Sequence, residues 1–335
     1  MEKEQRNNKL IKVKDSFGRI HNYLRLSLTD RCNLRCSYCM PAKPEFMPGE
    51  NLLNANEIEK LVSLFVELGI NKIRLTGGEP LIRKDFREIA EKISQFNASL
   101  HLTTNGFYLD DHIEHIAKYF SSVNISLDTL KPGRFLKISQ KEDFSRIHKN
   151  IDLALSKGIR TKLNVVVIRE MNHDEIIDFI KLTLINPIEV RFIEFMPFKG
   201  NHWNIAHTYT SREMLLDIKK NYEIVFLGRG SQETSERFRV VDSAGSFGFI
   251  STVSHPFCSQ CNRIRITADG KLKNCLFGRE EYDLFPLLGN SSQLKRTIYN
   301  AFSAKHFARG TSSSISHSCL KDSYSHNRCM TAIGG

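Results

Sequence analysis

The sequence predicts an α/β fold, a partial (β/α)6 TIM-like barrel followed by a C-terminal α+β cap. Three observations carry this. Six short β-type runs alternate with amphipathic helical runs between residues 23 and 195, the pattern of a parallel sheet with right-handed crossovers. Chemistry-type residues recur just after those strands: a cysteine loop, Gly77-Gly78, Thr103-Thr104-Asn105, Ser126 to Asp128, and Met196. Active sites of α/β barrels gather at that end of the strands. After Met196-Pro197 the alternation stops, which divides the chain into a core of residues 1–196 and a C-terminal region of residues 197–335. Six units are too few to close an eight-stranded barrel, so the rest of the chain is expected to cover its open side.

The elements follow in order. Residues 23–28 alternate Leu24, Leu26 and Leu28 against Arg25 and Ser27, a strand whose Arg25 is either solvated or turned inward. Residues 56–68 put Ile58, Leu61, Val62, Phe65 and Leu68 on one helical face, and Gly69 ends that helix. A strand at 72–76 stops at Gly77-Gly78-Glu79-Pro80, and a helix at 85–96 follows. The strand at 100–104 closes on Asn105-Gly106 before a helix at 109–119. A strand at 122–127, a helix at 144–157, a β-branched strand at 161–168, a helix at 174–184 and a sixth strand at 189–195 complete the core. Beyond it come a short helix at 211–221 and strands at 223–227, 237–242 and 247–252. Residues 263–267 and 271–275 flank Asp269-Gly270, a strong hairpin signal. A helix is expected within 294–307, and the serine-rich stretch 310–318 reads as a mobile segment.

Composition narrows the function classes. With 41% apolar and 25% charged residues over 335 positions, the chain is of ordinary globular type. No apolar run approaches the ~20 residues that span a bilayer. The opening stretch, Met1 to Lys14, is polar and unlike a secretory leader, so a cytoplasmic location is expected. Eight cysteines without such a leader point to metal binding rather than disulfides. The net charge of +11 favours an anionic partner. Its basic residues are spread out and not interleaved with aromatics, which suits a small polyphosphate better than nucleic acid.

Cys32, Cys36 and Cys39 supply three soft thiolates in eight residues. A four-iron cubane takes four ligands, so three cysteines leave one iron open, and an open position marks a catalytic site. A zinc loop or a redox Cys-x-x-Cys is the plainer reading, but the three-cysteine spacing with Tyr38 before the last cysteine is more specific. Cys258, Cys261 and Cys275 form a second triad across the expected hairpin. Alone it would read as a zinc ribbon completed by His255, Cys319 or Cys329; beside the first triad, a second cubane with an open iron is favoured. Arg263 and Arg265, two apart on a strand, share one face. They suit bidentate phosphate binding, with a solvated face as the alternative.

Several motifs then occur in one order: the cysteine loop, Gly77-Gly78-Glu79-Pro80, Leu102 to Gly106, Ser126-Leu127-Asp128, Phe192 to Met196, Phe257 to Arg265, and the terminal Gly334-Gly335. Together they resemble the GTP 3′,8-cyclase family of radical S-adenosylmethionine enzymes, from Arg25 to Gly335, most weakly over 228–246 and 310–318. The resemblance implies two 4Fe-4S clusters and S-adenosylmethionine, whose cleavage gives a 5′-deoxyadenosyl radical that removes the 3′ hydrogen of GTP. The product would be (8S)-3′,8-cyclo-7,8-dihydroguanosine 5′-triphosphate, the first step of molybdopterin biosynthesis. It assigns the cofactor to Tyr38, Gly78, Ser126 and Met196. It assigns GTP to Arg25, Arg74, Thr103, Lys162, Arg263, Arg265 and the backbone of Ile264, with guanine on the open iron of the second cluster. Arg263, Arg265, Gly334 and Gly335 are the catalytic candidates, and Cys319 and Cys329 match no ligand and read as free thiols. Implied partners are a downstream cyclic pyranopterin monophosphate synthase and an external electron donor, without membrane or nucleic acid, and a homodimer is compatible. The rivals are a radical enzyme acting on peptide or RNA, against which the Arg-x-Arg and Gly-Gly motifs speak, and a non-enzymatic zinc protein binding nucleic acid.

Overall fold

The computed structural model of the chain describes residues 12–41, 43–230, 233–309 and 327–334. Gly335, Cys319 and the serine-rich stretch 310–318 lie outside the described residues. The six expected core strands are present as β1 (Tyr23–Ser27), β2 (Lys72–Thr76), β3 (Ser99–Thr104), β4 (Ser122–Ser126), β5 (Thr161–Val167) and β6 (Glu189–Glu194). They pair in parallel and in sequence order.

Helices return the chain between the strands, and each has a local reason. Helix α1 (Ala55–Glu67) starts at a reciprocal cap, in which Asn54 accepts from the backbone of Asn56 and Glu57 and Glu57 reaches back to the Asn54 N–H. It stops at Gly69, whose φ of +93° is left-handed. Its buried face, Ile58, Leu61, Val62 and Phe65, joins the main core. Next come α2 (Phe86–Ser94), α3 (Ile113–Tyr119), α4 (Pro132–Ser139), α5 (Phe144–Ser156) and α6 (Ile176–Ile185). Helix α3 starts four residues later than its apolar spacing suggested, because residues 110–112 form a 3-10 turn. Helix α4 was not foreseen: Pro132 opens it and Gly133 dilutes its pattern, yet Phe135 and Ile138 are buried.

The C-terminal region adds α7 (Ser211–Lys219), β7 (Ile224–Gly228), β8 (Glu236–Val240), β9 (Ser246–Ile250), β10 (Arg263–Ile266), β11 (Lys271–Lys273), β12 (Tyr282–Asp283), α8 (Ser291–Ser303) and α9 (Met330–Ile333). It does more than cover an opening. Strand β9 pairs in parallel with β6, and β10 pairs in parallel with β1. The result is one sheet in the order β12-β11-β10-β1-β2-β3-β4-β5-β6-β9-β8-β7. The hairpin at Asp269-Gly270 joins β10 to β11, with Gly270 at φ +79° and its N–H on Thr267 O at 3.0 Å. Among the described residues no helix is long and apolar enough to cross a membrane.

Register sets the interior. Side chains alternate along a strand, so aligned residues on neighbouring strands share a face. Arg265, Arg25, Arg74, His101 and Ser122 form one row across β10, β1, β2, β3 and β4. Thr103, Asn124, Lys162 and Glu189 form another across β3 to β6. Leu24, Leu26, Ile73, Leu75, Leu102 and Ile125 take the opposite face in the helix-covered core.

Candidate active site

These rows enclose a cavity of about 270 Å³. Nine Lys and Arg side chains line it, against one carboxylate, Glu233. Arg25, Arg74, Lys162, Arg263 and Arg265 are all in its wall, together with Cys258, Cys261, Cys275 and Met196. Arg25 is therefore turned inward. The side chain of Ile264 faces the core and is 1% exposed, as strand alternation between two inward arginines requires. Thr103 stands behind the wall, where its hydroxyl accepts from Arg74 Nη1 at 3.4 Å.

The cations are held, not loose. Tyr23 OH accepts from Arg74 Nε at 2.7 Å and from Arg25 Nη1 at 3.4 Å, and Lys72 Nζ lies 4.7 Å from its ring centroid. Burial raises the phenol pKa, but Arg74, Arg25 and Lys72 outweigh it and bring it to about 6. Lys162 Nζ and Arg191 Nε share Glu189, at 2.7 and 2.6 Å. Burial lowers Lys162 to about 8 with help from Arg191, while for Glu189 burial is outweighed by Arg191 and Lys162, to about 2. His101 is driven down to about 3 by burial and then Arg74, so it is a neutral ring in this cationic wall. Asn124 Oδ1 and Asn164 Oδ1 are buried with no partner among the described residues, and both residues line the cavity. Buried polar atoms normally find a partner, so these two fit a polar ligand.

Tyr23, Lys72, His101, Asn124, Asn164 and Arg191 escaped the sequence reading. A signal existed for all six: each lies two residues from another chemical residue on the same strand, and so on the same face, Tyr23 from Arg25, Lys72 from Arg74, His101 from Thr103, Asn124 from Ser126, Asn164 from Lys162 and Arg191 from Glu189.

The two cysteine triads differ in setting. At the first, Asn105 Nδ2 lies 3.7 Å from Cys32 Sγ. Burial and then Glu79 push Cys32 up to about 11, and burial and then Asp128 push Cys36 well up. Tyr38 OH donates to Asp128 Oδ2. Tyr38, Ser126 and Asp128 border a small crevice beside Cys36, whereas Met196 lines the main cavity. Gly78 belongs to neither. Its N–H donates to Thr29 O at 2.7 Å, and a Cβ there would meet Arg31 O at 2.3 Å. The four expected cofactor residues thus do not share one pocket: Tyr38 and Ser126 lie beside the first triad, and Met196 lines the cavity of the second.

At the second triad, Cys261 Sγ lies 3.6 Å from Lys305 Nζ and 3.9 Å from Arg263 Nη2. Burial would raise this thiol, but Lys305 and Arg263 bring it down to about 6. All seven described cysteines are free. No group of three or more His, Cys, Asp or Glu among the described residues is spaced to hold a single metal ion. Three free thiols per triad, with side-chain N–H donors on Cys32 in the first and Cys261 in the second, match the donor set of iron–sulfur clusters.

The tail joins the two triads. Arg328 makes a bidentate pair with Asp269 at 3.0 and 2.9 Å and reaches Glu281 at 2.6 Å. Cys329 is near enough to Cys39 to help raise its pKa, after burial and Cys32. Met330 lines the main cavity. Gly334 O then accepts from Arg265 Nη1 at 3.2 Å.

Gly78→Ala should shift the cysteine loop, since backbone cannot yield as a flexible side chain does. Overpacking of this kind costs ~1–3 kcal/mol. The expected result is a lower melting temperature and less iron on the first triad; unchanged values for both would show that the loop yields freely.

A barrel with a three-cysteine loop after its first strand defines the class, a radical S-adenosylmethionine protein. The profile of the radical SAM superfamily matches residues 26–183, and that of Molybdenum Cofactor Synthesis C matches residues 188–310. Streptococcus suis SuiB bound to S-adenosylmethionine shares the fold, with a TM-score of 0.64 and 15% identity over 94% of this chain and 72% of that one. The chain is 41% identical to the GTP 3′,8-cyclase of Clostridium botulinum, over 85% of this chain and 92% of that protein. It is also 41% identical to the mitochondrial GTP 3′,8-cyclase of Arabidopsis thaliana, over 96% and 83%. Molybdenum cofactor biosynthesis protein 1 of Drosophila melanogaster is 42% identical over 87% of this chain, which spans about half (52%) of that relative's length. The chain belongs to the GTP 3′,8-cyclase family.

Proposed function

We propose that this chain converts GTP to (8S)-3′,8-cyclo-7,8-dihydroguanosine 5′-triphosphate, the first step of molybdopterin biosynthesis. The observation that carries this is the single cavity in which three thiols of the second triad face nine Lys and Arg side chains. A nucleoside triphosphate has both an anionic chain for the cations and a base whose nitrogen and oxygen atoms could ligate an open iron.

Cys32, Cys36 and Cys39 would hold one 4Fe-4S cluster and Cys258, Cys261 and Cys275 the other. Tyr38, Gly78, Ser126 and Met196 would hold S-adenosylmethionine, and the first cluster would supply one-electron chemistry to it. The chain's own residues bind and orient. Arg25, Arg74, Arg263 and Arg265 line the cavity and would surround the phosphates, and Lys162 would add a cation already balanced by Glu189. Thr103 supports Arg74. The Ile264 backbone lies between the two inward arginines. Gly334, on Arg265, and Gly335 after it would limit how the ribose sits, a positioning role. The product would pass to a cyclic pyranopterin monophosphate synthase, and an external donor would supply electrons. Seven free thiols suit a reducing compartment, the cytoplasm being the one proposed.

The direct test is anaerobic incubation with GTP and S-adenosylmethionine under reducing conditions, followed by product analysis. No cyclised nucleotide from iron-replete protein would reject the proposal, and zinc in place of iron would favour the non-enzymatic alternative. Arg265→Ala sharpens the test. Removing one charge-assisted hydrogen bond to the phosphates costs ~1.5–3 kcal/mol, so kcat/KM should fall roughly 10- to 150-fold with iron unchanged. Wild-type turnover would return Arg265 to a purely structural place beside the tail.

A further inference from the structure

Lys305 is 3% exposed, and none of the ion pairs among the described residues includes it. A buried cation is costly unless something anionic answers it. Helix α8 carries Lys305 there: Leu294, Ile298, Ala301 and Phe302 bury its face, and Lys305 N–H closes the helix end on Phe302 O. The ammonium donates to Arg263 O at 3.0 Å and to Cys261 Sγ at 3.6 Å. Arg263 Nη2 reaches the same sulfur. Two cations therefore converge on one thiol of the second triad. The first triad has the opposite neighbour, since the buried carboxyl of Asp128 stands beside Cys36 and Cys39.

Charge and N–H···S bonds set the reduction potential of a thiolate-held cluster, because an added electron is stabilised by nearby positive charge. We infer that Lys305 is a positioning residue for the second cluster, raising its potential above the value its three thiolates alone would give. This rests on Cys258, Cys261 and Cys275 being cluster ligands. Arg263 shares the task but also faces the cavity; Lys305 is absent from the cavity wall. Its effect should therefore be separable from substrate binding.

The experiment uses the full chain with Cys32, Cys36 and Cys39 replaced by Ala, so that only the second cluster remains. The one-electron reduction of that cluster is followed by electron paramagnetic resonance in a mediated potential titration, with iron and sulfide measured on each sample. Lys305→Gln keeps a donor without charge and should shift the midpoint potential negative. Lys305→Met removes both and should shift it further. Lys305→Arg should stay near the parent. All three should keep the parent's iron. A parent potential in the Gln and Met variants overturns the inference, as does a shift as large in the Arg variant. Absence of iron from Gln and Met but not from Arg overturns it too, leaving Lys305 a structural residue only. A parent that binds no iron on the second triad fails earlier, at the ligand assignment itself.

Discussion

A chain in which Cys32, Cys36 and Cys39 are all replaced by Ala should retain about half the iron of the wild type, because each triad is expected to hold its own four-iron cluster. It should cleave no S-adenosylmethionine and form no cyclised nucleotide. The complementary replacement of Cys258, Cys261 and Cys275 should also halve the iron, yet leave cofactor cleavage in place. This asymmetry is the point of the experiment, since one triad follows β1 and the other flanks the cationic cavity. Iron and sulfide content, with 5′-deoxyadenosine and nucleotide products, are measured on anaerobically reconstituted protein. Full iron after removal of the first triad, or zinc in the second, would reject two clusters.

The tail carries the second large effect. Gly334 has φ +84°, and a Cβ there would lie 2.7 Å from Ser27 Cβ and 2.8 Å from Thr76 Oγ1. Those neighbours end β1 and β2, so they cannot move without disturbing the barrel mouth. Gly334→Val is thus expected to expel the tail tip and break the Gly334–Arg265 hydrogen bond, while Arg328 still anchors the segment on Asp269. Deleting Gly334-Gly335 should act alike. A misplacement of about 1 Å near reacting atoms can cost ~10²-fold, so product formation should fall at least that far. Iron content, melting temperature and cofactor binding should stay near wild type. Equal product from the truncated and intact chains would make the tail an ordinary chain end.

Much of this was legible in the sequence. The six strands followed from apolar periodicity, since a strand packed under helices must place Leu24, Leu26 and their like on one face, and their parallel pairing followed from the alternation with helices. The cysteine spacing is local chemistry and needs no fold to be noticed. Gly77-Gly78 was legible as a tight junction, but its partner was not. The glycines pack on the backbone of Thr29 and Arg31, where the ends of two strands meet.

The sequence by itself determined the alternation of strand and helix, the two triads and the shared face of the two arginines of β10. Each depends on neighbours within a few residues. Tertiary structure decided what those residues meet. Parallel pairing of β10 with β1 aligns Arg265 with Arg25 and, through β2, with Arg74, although 191 positions separate Arg265 from Arg74. No periodicity along the chain encodes that row, because register between distant strands is fixed by the packing of the whole sheet. The same holds for Lys305. Its sequence neighbours mark an ordinary helix end, and only the docking of α8 on the sheet brings its charge to Cys261.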